Sequence, residues 1–249
     1  MRKGAVSDVG RVRSLNEDSF HLYGGLRYGY GLVADGMGGH KAGEIASSMA
    51  IESIKKTISS GMKGYGKHKS DDIKAMLCEA VVKANKEIYD YAKADFAMLG
   101  MGTTVSLALI YDQKMYIAHV GDSRVYRIKD NKIEQMTTDH SYVNELVSMG
   151  QITKEQAKSH PKKNVITRAV GTEPSIRVDV SEYTYKGETI LICSDGLTNL
   201  VGDSEIASIT SGAKSLNDAA KKLVTLANER GGSDNITVII FDERQDNKA

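Results

Sequence analysis

Three times in this chain an apolar, strand-like run ends directly on an aspartate beside a glycine or serine. The runs are Leu32-Val33-Ala34-Asp35-Gly36, Ala118-His119-Val120-Gly121-Asp122-Ser123 and Leu191-Ile192-Cys193-Ser194-Asp195-Gly196. A fourth stretch, Gly232-Ser233-Asp234-Asn235, is the mirror form and leads into the apolar run at 236–241. Any one of these alone reads as an ordinary turn, because Asp, Asn and Gly suit turn geometry. Four strand ends on one sheet rim are different: their carboxylates repel one another unless a cation sits among them. Oxygen donors with no Cys/His cluster nearby suit Mg²⁺ or Mn²⁺ rather than Zn²⁺.

The remaining pattern says what carries that rim. Residues 3–35 read as short strands, and Ile45, Met49 and Ile54 then recur at helical spacing from Ala42 to about Ser59. A Gly/Lys-rich stretch at 59–70 stops the pattern, and Asp71-Asp72 is expected to cap a second long helix whose apolar face includes Ile73, Leu77, Val81 and Ile88. The two helices are expected to pair as an antiparallel hairpin over a sheet. Period-two strands follow at 104–111, 114–120, 124–129 and 132–135, with two-residue links Asp112-Gln113 and Asp130-Asn131 that make antiparallel neighbours. The polar stretch 140–165 reads as a surface flap with short helical pieces. Strands are expected at 176–185, 188–194 and 235–241, helices at 203–209 and 215–229, and a frayed tail at 243–249. Such an order gives an α+β layered domain with helices covering a largely antiparallel sheet, or two.

Composition narrows the partners. With 249 residues, 33 Lys+Arg against 32 Asp+Glu and a net charge of +1, the chain can bury a core and offers no polybasic surface for nucleic acid or membrane. Its longest apolar runs are strand-sized, and no apolar core follows the N-terminal charges, so neither a membrane span nor a signal peptide is expected. Cys78 and Cys193 make no disulfide framework, and a reducing cytoplasm is the expected location.

Other phosphate-handling patterns fail on inspection. The segment 61–68 has near phosphate-loop spacing, but His68 stands where a hydroxyl is needed and the segment follows a helix. A helix-to-helix loop is the better reading. Asp35–Gly43 lacks the third glycine of a dinucleotide turn at Lys41. Neither cysteine has an arginine six residues on, so a cysteine-phosphatase loop is absent.

The motifs in chain order resemble the metal-dependent protein serine/threonine phosphatases of the protein phosphatase 2C type, particularly single-domain bacterial members. The residues that carry the resemblance run almost end to end. They begin with the stretch from Ser7 to Asp18 that holds Arg13 and Asn16-Glu17-Asp18, then Val33-Ala34-Asp35-Gly36-Met37-Gly38-Gly39-His40 and Met101-Gly102-Thr103-Thr104. His119-Val120-Gly121-Asp122-Ser123-Arg124, Thr138-Asp139-His140-Ser141 and Ile166-Thr167-Arg168-Ala169-Val170-Gly171 come next, and Cys193-Ser194-Asp195-Gly196-Leu197 and Ser233-Asp234-Asn235-Ile236-Thr237 close the series.

The resemblance implies a four-layer α-β-β-α sandwich, two antiparallel sheets flanked by helix pairs, with residues 1–242 as the catalytic domain and 145–165 as its flap. It implies two Mn²⁺ or Mg²⁺ ions that activate a water for attack on phosphorus without a covalent enzyme intermediate. Asp35 is expected between the two ions, with the Gly36 carbonyl and Glu17 on one, and Asp195 and Asp234 on the other. Asp122 with Asp195 is expected to hold a weaker third ion. Arg13 is expected on the phosphoryl oxygens, where a planar fork matches phosphate better than an ammonium does.

His40 departs from the family pattern. Eukaryotic members carry a histidine directly after the metal-binding Asp-Gly and use it toward the leaving group, whereas here Met37 takes that place and the histidine follows three residues later. His40 is then expected to position phosphate or substrate, and His119 and His140 to serve structure. Thr103 and Thr104 are expected to support the metal rim rather than bind metal. The expected substrates are phosphorylated proteins, those of a serine/threonine kinase, and the expected state is a monomer. Two rival readings are a non-catalytic phosphatase-like binding module, which would be expected to have lost rim carboxylates, and a metal phosphodiesterase, which near-zero net charge does not favour.

Overall fold

The computed structural model describes residues 1–38, 42–63 and 68–243. The chain opens with β1 (Arg2–Asp8), β2 (Asp18–Gly24) and β3 (Tyr28–Met37), then the helices α1 (Ala42–Gly61) and α2 (Ser70–Ala94). Five strands follow: β4 (Gly102–Thr103), β5 (Val105–Tyr111), β6 (Lys114–Val120), β7 (Arg124–Lys129) and β8 (Lys132–Gln135). Two short helices, α3 (Tyr142–Ser148) and α4 (Lys154–Lys158), precede β9 (Asp179–Thr184) and β10 (Thr189–Cys193). The chain continues through α5 (Asp195–Thr198), α6 (Asp203–Gly212) and α7 (Leu216–Glu229) to β11 (Ile236–Asp242).

The strands form two antiparallel sheets. One has the order β1-β11-β10-β7-β8, and the other runs β2-β3-β5-β6-β9 with β4 paired to β3. Central strands are buried on both faces, so they read as continuous apolar runs whose alternate residues serve two different cores. Leu107 and Leu109 of β5 face the α1/α2 layer together with Leu32 and Ile54. Ala108 and Ile110 of the same strand face the other sheet and meet Ile190, Ile192, Ile239 and Phe241. The opposite side of β10 and β11, through Leu191, Val238 and Ile240, packs on Ile206 and Leu223 of α6 and α7. The result is the four-layer α-β-β-α sandwich with a helix pair on each outer face.

Both short hairpin links behave as their residues suggest. Asp112, Gln113, Asp130 and Asn131 all take positive φ, the conformation that tight two-residue hairpins need. The link at 121–123 is different: β6 pairs with β5 and β9, whereas β7 pairs with β10 and β8, so the chain changes sheets there. The expected cap of the second helix is corrected. Lys69 is the N-cap and makes no side-chain cap bond, while Asp71 and Asp72 lie in the first turn, where negative charge complements the positive end of the helix dipole. Residues 64–67 of the Gly/Lys-rich stretch lie outside the described residues, as do 244–249 of the tail. Glu243 is held by its N–H, which donates to the Tyr185 hydroxyl at 3.0 Å. Among the described residues, no helix is long and apolar enough to cross a membrane.

Candidate metal and phosphate site

Acidic residues from strand ends of both sheets gather close enough to act on one another's charge. Asp18 starts β2 and pairs across the ladder with Asp35 near the end of β3. Asp122 lies in the link where the chain passes from one sheet to the other. Asp195 is the first residue of α5, two residues past the end of β10, and Asp234 lies two residues before the start of β11. Residues 18, 35, 122, 195 and 234 thereby reach one rim although the first and last are most of the chain apart.

Backbone and hydroxyl contacts hold this rim in place. The Asp35 N–H donates to Thr104 Oγ1 at 2.9 Å, and the Asp35 carbonyl accepts from Thr103 Oγ1 at 2.9 Å and the Thr104 N–H at 2.8 Å. Thr104 Oγ1 also lies 2.7 Å from Ser123 Oγ, which ties the Asp35 strand end to the residue after Asp122. Both threonines thus brace the aspartate backbone. A Cβ at Gly36 would fall 2.1 Å from the Gly43 carbonyl oxygen and 2.6 Å from that of Glu17, so only glycine allows this approach of β3 to α1.

The electrostatics explain why the site is poised for cations. Burial holds the Asp35 carboxyl well above its usual range, and Asp18, Asp195, Asp122 and Asp234 push it further in the same direction. Asp18 is pushed up to about 7, first by burial and then by Asp195 and Asp234, against the pull of the Thr237 and Ser194 hydroxyls. Burial and the Asp195 charge raise Asp122 to about 7, and burial and the Asp234 charge raise Asp195 to about 6. Burial also raises Glu17, partly offset by the Arg13 charge.

This donor set fits hard divalent cations. All its ligand atoms are oxygens, several are half-buried carboxylates, and positive charge among them would relieve their mutual repulsion. Glu17 Oε1 and Asp18 Oδ1 are buried acceptors without a hydrogen-bond partner. Among the described residues no three His, Cys, Asp or Glu side chains are positioned as they stand to hold an ion. Two of the carboxylates are turned to neighbouring donors instead. Asp195 Oδ2 accepts from Asn199 Nδ2 at 2.9 Å, and Asp234 Oδ2 accepts from Arg13 Nη2 at 3.0 Å.

Arg13 therefore lies at this rim, in the exposed loop before Glu17. His40 lies outside the described residues. His119 is buried between strands, with Ser106 Oγ on Nδ1 and the Thr138 carbonyl on Nε2, and burial pushes its pKa down to about 3. His140 Nδ1 accepts from the Gly121 N–H at 3.0 Å, which leaves Nε2–H to donate to Asp179 Oδ2 at 3.0 Å. Among the described residues, the hydrogen-bond partners of both imidazoles are thus backbone groups, Ser106 and the Asp179 and Arg168 side chains, none of them a rim aspartate.

Two residues have a larger part than sequence reasoning assigned them. Asp18 is buried beside Asp35, with Ser194 Oγ donating to its Oδ2 at 2.7 Å. Its signal was the pair Glu17-Asp18 at a strand start. Asn235 is also buried: its Oδ1 accepts the Glu17 N–H at 2.8 Å, and its Nδ2 donates to the Val9 and Leu15 carbonyls at 3.0 and 2.9 Å. One side chain thus fastens the whole loop that presents Arg13 and Glu17 to the base of β11. Asp-Asn before a strand reads locally as a turn, and nothing local reveals contacts 220 and 226 residues away.

The fold is shared with known proteins. The family described as Protein phosphatase 2C matches residues 10–233. The chain is 39% identical over 239 residues to the serine/threonine phosphatase stp of Listeria welshimeri, covering 95% of this chain and 93% of that one. It is 37% identical over 245 residues to the protein phosphatase PhpP of Streptococcus pneumoniae, covering 96% of each. Among solved structures, the serine/threonine phosphatase PstP/Ppp of Mycobacterium tuberculosis superposes with a TM-score of 0.87 at 35% identity, covering 98% of this chain and 99% of that one. The catalytic domain of PstP in complex with two manganese ions gives 0.82 at 33% identity, covering 97% of each. With a family match over residues 10–233 and likeness to these proteins over nearly its whole length, the chain belongs to the protein phosphatase 2C family.

Proposed function

We propose that this chain is a metal-dependent protein serine/threonine phosphatase that hydrolyses phosphoserine and phosphothreonine in proteins and opposes a serine/threonine kinase. It acts in the cytoplasm as a monomer, with residues 1–242 as the catalytic unit and 145–165 as a flap that tunes substrate entry and release. The observation that carries this reading is the convergence of Asp18, Asp35, Asp122, Asp195 and Asp234 on one rim, where the other four all raise the proton affinity of Asp35. A phosphatase-like binding module has no use for such an expensive concentration of charge.

Asp35 would be shared by two Mn²⁺ or Mg²⁺ ions, one of which the Gly36 carbonyl and Glu17 would help to hold and the other Asp195 and Asp234. Asp122 and Asp195 would hold a third. When bound, such an ion pair lowers the pKa of an attacking water and draws charge from the phosphoryl group. The protein's own part is positional. Thr103 and Thr104 fix the Asp35 backbone, Asn235 fixes the Arg13 loop, and Arg13 offers a planar fork of N–H donors to the phosphoryl oxygens once it leaves Asp234. His40, at the start of the segment after Gly38, is assigned to positioning the phosphate or substrate.

The test is hydrolysis of phosphoserine and phosphothreonine peptides after chelation and after Mn²⁺ is restored, beside the Asp35→Asn variant. Turnover is expected only with metal and only in the unmodified chain. Metal-independent turnover, or full activity in Asp35→Asn, would contradict the proposal.

A further inference from the structure

The rim does not end at the aspartates. A cleft of about 920 Å³ runs from Asp122 and Asp195 to the segment that carries α3 and α4, with the turn between α5 and α6 as its other wall. That volume lies toward the upper end of ligand sites and suits several residues of an extended peptide better than a phosphate alone.

Charge on its two walls is uneven. Lys154, Lys158 and Lys163 line the α4 side, with only Glu155 beside them. Lys154 and Lys158 are one helical turn apart and share a face, and the Thr153–Gln156 capping box fixes the start of that turn. All three ammonium groups are exposed, and none is in an ion pair among the described residues. On the facing side, Asp122 and Asp195 belong to the acidic rim, and the other two acidic groups are already engaged. Arg124 neutralises Asp139 through a forked contact with a shortest distance of 2.7 Å, and Asp203 accepts from the Tyr126 hydroxyl at 3.0 Å. The neighbouring Lys162 differs, since its ammonium rests over the Tyr142 ring.

We propose that Lys154, Lys158 and Lys163 make this cleft selective for phosphosites flanked by anionic groups, either Asp/Glu carboxylates or a second phosphoryl group. The inference rests on the phosphatase reading and names the substrate class of that site. Lysine is suited to the task because a point charge on a flexible stem reaches an anion at more than one register, whereas Arg13 must meet a single phosphate in one geometry.

The test compares kcat/KM for phosphoserine peptides that are identical except for flanks of glutamine, glutamate or a second phosphoserine, placed on either side of the site. The unmodified chain should favour an anionic flank by about tenfold, mainly through KM, and added salt should erode that preference. In the triple variant Lys154→Ala/Lys158→Ala/Lys163→Ala the ratio should fall toward one, while Lys162→Ala should keep it. A gain with glutamate identifies carboxylates as a sufficient flank, and a gain confined to the second phosphoserine identifies phosphate; both support the site. Equal turnover of all flanks, or a preference that survives the triple variant, would overturn it. No turnover of any phosphate ester with Mn²⁺ would overturn the phosphatase reading as well, whereas turnover without flank preference would overturn this inference alone.

Discussion

Arg13 and Asp234, separated by 221 residues in sequence, meet at the rim with Nη2 3.0 Å from Oδ2. The group assigned to the substrate phosphate thus rests on a group assigned to metal. Both side chains are substantially exposed, so the pair itself adds little to stability and is easily opened. Arg13→Ala should raise KM for a phosphopeptide by about tenfold or more while the requirement for Mn²⁺ persists, because the lost partner is the charge of the substrate. Arg13→Lys should recover only part of that loss. Steady-state kinetics on the same peptide decide it: unchanged KM in Arg13→Ala would remove Arg13 from phosphate binding.

Crowded carboxylates carry a cost that pH exposes. Asp18 and Asp122 are raised to about 7 and Asp195 to about 6, against 3.8 for an ordinary aspartate. The folded chain therefore keeps protons that the unfolded chain releases. The stability linked to those protons is complete below about pH 4 and is lost as pH rises through 6 to 7. Thermal melts in chelator should show a falling Tm across that window, and Mn²⁺ should restore it at pH 8. Asp35→Asn should abolish turnover yet stabilise the chelated protein at pH 8 by on the order of 1 kcal/mol or more. A less stable Asp35→Asn in chelator would contradict the repulsion argument.

Asn235 offers a test of the loop's attachment. Replacing it with alanine strands the Glu17 N–H and the Val9 and Leu15 carbonyls, each in a partly buried setting. The expected loss is roughly 2–4 kcal/mol of stability. A second effect separates this residue from an ordinary core position: the variant should need more Mn²⁺ for half-maximal turnover and show a raised KM, since both Glu17 and Arg13 ride on the loop. Titration of activity against Mn²⁺ at a temperature where the variant remains folded provides the check.

Asp122 is expected to behave differently from Asp35. It stands at the crossing between sheets and shares its neighbourhood with Asp195 and Asp139. Asp122→Asn should leave two tight ions in place and lose the weaker third, so calorimetric titration with Mn²⁺ should lose its low-affinity phase only. Loss of all binding would instead place Asp122 in the principal pair.

Much of this fold was readable in the chain because its signals are local. The links Asp112-Gln113 and Asp130-Asn131 are hairpin turns in both readings, and the apolar faces of α1 and α2 meet the sheet as their spacing required. The aspartates were conspicuous because each interrupts an apolar run. Contacts between distant segments were not legible. β1 pairs with β11 in a register that sets Arg2 opposite Asp242, and neither strand announces the other. The change of sheets at 121–123 looks like any short turn until the partners of β6 and β7 are known. Asp18 and Asn235 were quoted within motifs, but burial and hydrogen bonding define their work, and both depend on the opposite end of the chain. The misplaced cap at Asp71-Asp72 has a simpler origin: acidic residues suit the first turn as well as the cap, and composition does not separate the two.

The most direct measurement is an anomalous difference map from a crystal of the protein soaked in Mn²⁺. Two peaks are expected roughly 3.5–4 Å apart, bridged by Asp35, with Asp195 and Asp234 on one and the Gly36 carbonyl on the other. Peaks elsewhere, or none between these oxygens at saturating Mn²⁺, would contradict the assignment of this rim as the metal centre.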